Sequence, residues 1–450
     1  MLHGERCGTN GVQRKPSERG VVNMAETIDT NVPVVVASCD AHTGPLLNEQ
    51  LRPYCPKKYL EAFDDFAARY EASGLRAAMR EHQNTGLPGH HDAGARLEEM
   101  DRDGVAAEVL YHFSTNGEPF PFMMQAAGGL TNDQSDLELA TVGYHLYNEW
   151  LADWVAVDSQ RLLGLAYIPI WDIDLAVKEV EWAASRGLHG VNFPPPGRPD
   201  TILYNHPEWD PFWAACVANN MPLNTHSSGG QPIDYSGPGG IHVQVYEGGG
   251  WLSRRAVWWL IHGQVFERFP DLKLVITEQF EGWYLPTMRE LDAIYLRFGS
   301  AAPGPRLPRQ PSEYVTQNVF LGASFMSTWQ AEDATRNGYA SNVLWGRDYP
   351  HSEGVFQHLD DPEAETVTRV ALRNLFSHVP PRETLMMAGD NVMRVFGLDA
   401  DHLRKVAVDI GAQTLAELAD APDPATFPKI HPSSNAFRGQ AGPRLEELKT

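Results

Sequence analysis

Four strand-like runs end in residues that could hold a metal ion. In Val343-Leu344-Trp345-Gly346-Arg347-Asp348-Tyr349-Pro350-His351, Gly346 breaks a short apolar run, Asp348 follows at once, and Pro350 forbids simple continuation. Apolar run, glycine, acid reads as a buried strand that delivers a carboxylate at its end. The β-branched run from Pro33 leads into Asp40-Ala41-His42. Side chains alternate in an extended chain, so Asp40 and His42 share a face, as two ligands of one metal must. A third run, from Pro222, ends in His226, and a fourth, from Leu272, ends in Glu278. Imidazoles and carboxylates around a divalent ion with an open position lower the pKa of bound water from about 15.7 to roughly 7. Asp348 beside that water has the chemistry of a general base. Such mixed ligation suits Zn, and a carboxylate-rich set shifts preference toward Mn.

Each residue also has a plainer reading. His226 can be a buried histidine satisfied by a backbone carbonyl, and Asp348 can cap the next helix. Glu278 can pair with Arg254 or Arg347 as a structural ion pair. His351 can face a substrate or stabilise the turn after Pro350. His262, inside an apolar helix, reads as packing.

The elements needed to bring these ends together are present. Strand-like runs begin at Pro33, Val105, Leu162, Leu188, Pro222, Leu272, Val319 and Val343. Between them lie amphipathic stretches, among them 58–80, 137–157, 172–186, 207–219, 251–269 and 283–297. Alternating buried strands and amphipathic helices imply a parallel sheet. Eight such units are the count of a (β/α)8 TIM barrel, whose active site lies at the C-terminal ends of its strands. Its first and eighth strands are neighbours, so Asp40, His42 and Asp348 can meet, with His226 reaching across the mouth. We expect a polar extension over 1–30, with a true start at Met24 as one reading, the barrel over 31–410, and a Pro-rich tail over 411–450. Long loops interrupt the barrel. The one over 117–133 carries Phe120, Phe122, Met123 and Met124, which either line an apolar pocket, pack, or contact another subunit. The glycine-rich stretch 227–250 reads as a lid or an oligomer arm.

Composition narrows the function classes. The chain has 450 residues with Lys+Arg 36 against Asp+Glu 58, a net charge of −22. That balance argues against nucleic acid and anionic membranes as partners. No apolar run approaches the ~18 residues of a membrane span. Cys7, Cys39, Cys55 and Cys216 form no Cys-x-x-Cys pair, which suits a reducing cytoplasm. A small molecule is the expected partner, with self-association into a homodimer or larger.

Several fragments, in order, carry a family resemblance: Asp40-Ala-His42, Met100-Asp-Arg-Asp-Gly-Val105, Val265-Phe-Glu-Arg-Phe-Pro-Asp-Leu272, Trp345-Gly-Arg-Asp-Tyr-Pro-His351, and Asn391 with Phe396-Gly397. Over about 34–397 the chain resembles the amidohydrolase superfamily. It is most similar to the amidohydrolase-2 branch, which includes aminocarboxymuconate-semialdehyde and γ-resorcylate decarboxylases. The resemblance implies one divalent metal held by Asp40, His42, His226 and Asp348. Asp348 and the sixth-strand residue, here Glu278, are the expected catalytic groups, with His351 and Arg254 expected to contact the substrate. The favoured reaction is non-oxidative decarboxylation of a small aromatic acid. The alternatives are hydrolysis of an amide, ester, lactone or C–C bond, and a metal-free ligand-binding barrel. Many relatives have Glu or His where this chain has Asp40, and His where it has Glu278.

Overall fold

Runs of Val, Leu, Ile and Ala that would be costly to expose on either face form eight fully buried parallel strands. The computed structural model describes residues 28–79, 84, 86–122, 137–194, 201–227, 238–279, 281–298, 306–359, 361 and 363–438. The strands are β1 (Ala37–Thr43), β2 (Ala107–His112), β3 (Leu162–Tyr167), β4 (Gly190–Asn192), β5 (Leu223–Thr225), β6 (Leu274–Ile276), β7 (Val319–Ala323) and β8 (Val343–Trp345). They pair in sequence order, each parallel to the next, with helices between them. This is the expected (β/α)8 barrel.

The barrel is drawn shut beyond β8, where the chain passes Gly346. The Asp348 N–H donates to the Asp40 carbonyl at 2.9 Å, and the His42 N–H donates to the Tyr349 carbonyl at 2.7 Å. Gly346 is needed for that approach. A Cβ there would lie 3.0 Å from Ser324 Cα and 3.1 Å from Asp40 Cβ, both on neighbouring strands. The closure therefore sets Asp40, His42 and Asp348 side by side through backbone hydrogen bonds alone.

Helices cover the outside, and several start where the sequence offers a cap. Asp172 accepts from the Leu175 N–H at the start of Ile173–Ser185, and Asp92 accepts from the Ala95 N–H at the start of Ala93–Asp103. Ala176, Val180 and Ala183 form the buried stripe of the first. Trp150 and Trp154 stack at 5.9 Å on the inner face of Leu137–Val155.

Four expectations need correction. The strand expected over Pro33–Asp40 is β1 at Ala37–Thr43, which begins later and runs on past His42, with a register shift between Ser38 and Ala41. The single helix expected over 251–269 is broken: Arg255–His262 and Val265–Arg268 are separated at Gln264, whose φ is +55°. The helix over 58–80 is divided into Leu60–Ala72 and Leu75–Met79 by Gly74 at φ +74°. Gly248–Gly250 is not open loop but part of a wide helical turn, Glu247–Leu252, that follows the helix Gly240–Tyr246. Residues 228–237 of that stretch, residues 1–27, and Met123 and Met124 lie outside the described residues. Phe120 packs among His112, Tyr144, Tyr147 and Tyr167, the packing alternative for that loop. The C-terminal segment lies on its own chain: the Val34 N–H donates to the Gln413 carbonyl, and the Asn435 N–H to the Glu353 carbonyl.

Candidate metal centre

β1, β5 and the segment after β8 aim their side chains at one point in the barrel mouth. His42 Nε2 lies 3.4 Å from Asp40 Oδ1 and 3.3 Å from Asp348 Oδ1. His226 Nε2 lies 3.5 Å from the same Asp40 oxygen. Asp40 and Asp348 are fully buried, His42 is 2% exposed, and His226 keeps 15% of its side chain exposed. The structure thus brings together the four residues expected as ligands.

The imidazoles are held for a purpose that the chain alone does not fulfil. His42 Nδ1 lies 2.9 Å from the His112 carbonyl, to which it can only donate, so Nε2 carries the lone pair. His226 Nδ1 lies 3.2 Å from Glu278 Oε2 and 3.2 Å from the Ser227 carbonyl, which likewise leaves Nε2 the lone pair. A carboxylate or carbonyl behind each imidazole is the usual support of a metal-binding histidine. Asp40 Oδ1, His42 Nε2, His226 Nε2 and Asp348 Oδ2 are buried without a hydrogen-bond partner. Each such orphan costs roughly 1–3 kcal/mol. One divalent cation satisfies two imidazole nitrogens and two carboxylates together, so the donor set fits a metal ion. Ligand atoms of Asp40, His42 and His226 lie within 4.8 Å of one another, as do those of His42, Asp348 and His351.

The charges respond to this crowding. Burial opposes ionisation of Asp40, yet the imidazoles of His226 and His42 hold its carboxyl well below the usual carboxylate range. Ser324 Oγ donates to its second oxygen at 2.5 Å. Burial lowers the basicity of His226, but Glu278 and Asp40 more than restore it. Burial pushes Glu278 up to about 8 despite the neighbouring His226, with Asp348 and Asp40 adding to the rise. Glu278 and Asp348 both adopt left-handed backbone, φ +56° and +55°. That conformation costs a non-glycine residue about 1 kcal/mol or more, and it turns both carboxylates into the mouth.

The remaining candidates sit as follows. His351 Nδ1 lies 2.8 Å from Asp348 Oδ1, and its Nε2 lies 3.0 Å from the Phe113 carbonyl. Its ring packs 4.1 Å from the ring of His42. Burial disfavours its charge, but Asp348 raises its pKa to about 10. His351 therefore braces Asp348 as well as bordering the mouth. Arg254 does not reach Glu278: its Nε donates to Gln279 Oε1 at 2.6 Å, and its guanidinium lies 4.6 Å from the Trp283 ring centre. Arg347 does not pair with Glu278 either. It is fully buried and binds Asp103 at 2.6 Å and Glu108 at 2.5 Å. The ion-pair reading of Glu278 is thus replaced by its contact with His226. His262 is exposed on its helix and does not pack in the core.

Sequence reasoning missed the support beneath the site. Arg96, fully buried, donates to the His42 carbonyl at 2.5 Å and lies 3.2 Å from Glu108, which also holds Arg347. Thr368 Oγ1 donates to Asp103 at 2.8 Å. Tyr111, near the end of β2, places its ring 4.7 Å from His226, with its hydroxyl 2.8 Å from Thr277 Oγ1. Position at a strand's C-terminal end was the one available signal for Tyr111. Asp103 lies within a quoted motif, but its partner is 244 residues away.

The family profile described as Amidohydrolase matches residues 39–398. A γ-resorcylate decarboxylase of Polaromonas sp. is 26% identical over 242 residues, covering 48% of this chain and 70% of the relative. The crystal structure of 5-carboxyvanillate decarboxylase LigW from Sphingomonas paucimobilis superposes with a TM-score of 0.58 at 21% identity, covering 81% of this chain and all of that one. A 5-carboxyvanillate decarboxylase of Novosphingobium aromaticivorans, solved with bound manganese and a nitrobenzoic acid, gives 0.57 at 16% identity, covering 81% and 97%.

Proposed function

The chain belongs to the amidohydrolase family, and we propose that it is a metal-dependent enzyme that removes CO2 from a small aromatic carboxylic acid without oxidation. One observation carries the reading: the orphaned lone pairs of Asp40, His42, His226 and Asp348 meet in one buried mouth. Those four side chains would hold one divalent ion, Zn or Mn. When bound, the ion supplies Lewis-acid polarisation of a substrate oxygen and offsets the carboxylate charge.

The chain's own residues supply the rest. Loss of CO2 breaks the bond between ring carbon and carboxylate and leaves the electron pair on the ring carbon. That carbon must then gain one proton. Asp348 meets His351 and His42 through Oδ1 and leaves Oδ2 without a partner in the mouth, so Oδ2 is placed to carry a proton to the ring carbon, and solvent then restores it. His351, 2.8 Å away, holds Asp348 in place and borders the substrate. Glu278 orients His226 through Nδ1. The rings of Tyr111, His351 and Phe113 give the mouth flat walls suited to an aromatic substrate. The named relatives act on γ-resorcylate and 5-carboxyvanillate, which supports the same substrate class.

Glu278 favours a second reading. A carboxylate in place of an imidazole beside Asp348 suits activation of water, and hence hydrolysis of an amide, ester, lactone or C–C bond. Assays over a panel of hydroxybenzoic acids and aryl amides separate the two. CO2 release with one proton consumed per turnover supports the lyase, and proton release without CO2 supports the hydrolase. Exposed Tyr246, Leu296 and Phe298 support assembly as a homodimer or larger, which a monomer in sedimentation would overturn. Among the described residues no helix is long and apolar enough to cross a membrane. The described cysteines Cys39, Cys55 and Cys216 are free, which suits a cytoplasmic location.

A further inference from the structure

A second cavity lies outside the barrel mouth, between the helices Arg255–His262 and Tyr284–Phe298. It has a volume of about 470 Å³, within the range that takes a drug-sized molecule. Its walls are mainly the indoles of Trp251, Trp258 and Trp283, with Arg254, His262 and Glu290 the titratable groups on the lining; Glu290 makes no ion pair with Arg254. The Arg254 Nε is committed to Gln279, and one face lies against the Trp283 ring. No carboxylate neutralises the guanidinium among the described residues; burial holds its pKa down to about 10, and the group opposing that shift is Tyr246. In a chain of net charge −22 with carboxylates to spare, a half-buried arginine without an acidic partner stands out.

We propose that this cavity is a binding site for an aromatic monocarboxylate, with the ring between the indoles and the carboxylate on the Arg254 guanidinium. The chemistry is complementary at both ends. Indole faces bury a flat ring. An arginine with free N–H groups forms a charge-assisted pair with a carboxylate that a neutral group cannot match. Trp283 stacks on the guanidinium and fixes its plane, so little order is lost when a ligand binds. The inference does not depend on the reading of the metal centre. Arg254 is anchored to Gln279, which is 1% exposed and follows Glu278 in the chain, so the cavity flanks the chamber without sharing its ligands.

The test uses benzoate and its neutral analogue benzyl alcohol, titrated by calorimetry into chelator-treated wild-type protein and into His226→Ala, so that the metal centre does not contribute. The expected result is one saturable benzoate site per chain in both proteins, with benzyl alcohol at least tenfold weaker. Arg254→Gln, and separately Thr287→Trp, which fills the cavity from one wall, should each weaken benzoate at least tenfold. Absence of a saturable site, equal affinity for the alcohol, or benzoate affinity unchanged in Arg254→Gln would overturn the proposal.

Discussion

His226 Nδ1 lies 3.2 Å from Glu278 Oε2. The end of β6 therefore acts on the end of β5, and Glu278 fixes which nitrogen of His226 faces the mouth. The contact gives the carboxyl at the end of β6 a role toward the candidate metal ligand at the end of β5. That carboxyl is placed to position His226 from behind.

Glu278→Gln keeps the shape but removes the carboxyl group beside His226 Nδ1. Loss of a supporting carboxylate of this kind typically costs 10–100-fold in metal affinity. The metal Kd, measured by competition with a chromophoric chelator, should rise by about that factor. An unchanged Kd would mean that the contact has no bearing on the metal.

Arg347 sits under the site between Asp103 and Glu108, all three buried. Arg347→Met would leave the buried Asp103 without its cation and Glu108 with Arg96 alone, a loss of about 3–5 kcal/mol for a broken buried pair. Urea unfolding should show a fall of that order. A change below about 1 kcal/mol would mean that Arg96 and Thr368 suffice to hold the acids.

His90 makes stability sensitive to acid. It is fully buried, and burial pushes its pKa down to about 3 from the ordinary 6.5, against a bond to the Asn84 carbonyl that works the other way. Between those values the unfolded chain takes up a proton that the folded chain refuses. The stabilisation is complete above about pH 6.5 and is lost as pH falls, by about 1.4 kcal/mol per pH unit. Chelator-treated wild type should therefore lose about 2 kcal/mol more than His90→Gln between pH 7 and pH 5 in urea unfolding. Parallel pH profiles for the two proteins would contradict this.

The barrel was readable in the sequence because most strands lie in short, largely apolar runs and the candidate ligands stand at or beside their ends. Asp40 and His42, two residues apart, share a face by strand geometry alone, and their meeting with Asp348 follows from barrel closure. The fate of the arginines was not readable. Arg347 finds Asp103 from 244 residues away, and Arg254 turns to Gln279, because pairing depends on which faces the helices present after folding. Local backbone was equally hidden: nothing in the apolar pattern of 251–269 signals the left-handed Gln264 that breaks that helix.

Metal content tests the central claim most directly. Protein purified without chelator, or reloaded with Mn or Zn and desalted, should hold one divalent ion per chain by elemental analysis. His226→Ala, folded by circular dichroism, should hold none. Wild-type protein that binds no ion at saturating metal, or a His226→Ala protein that binds it equally well, would contradict the account.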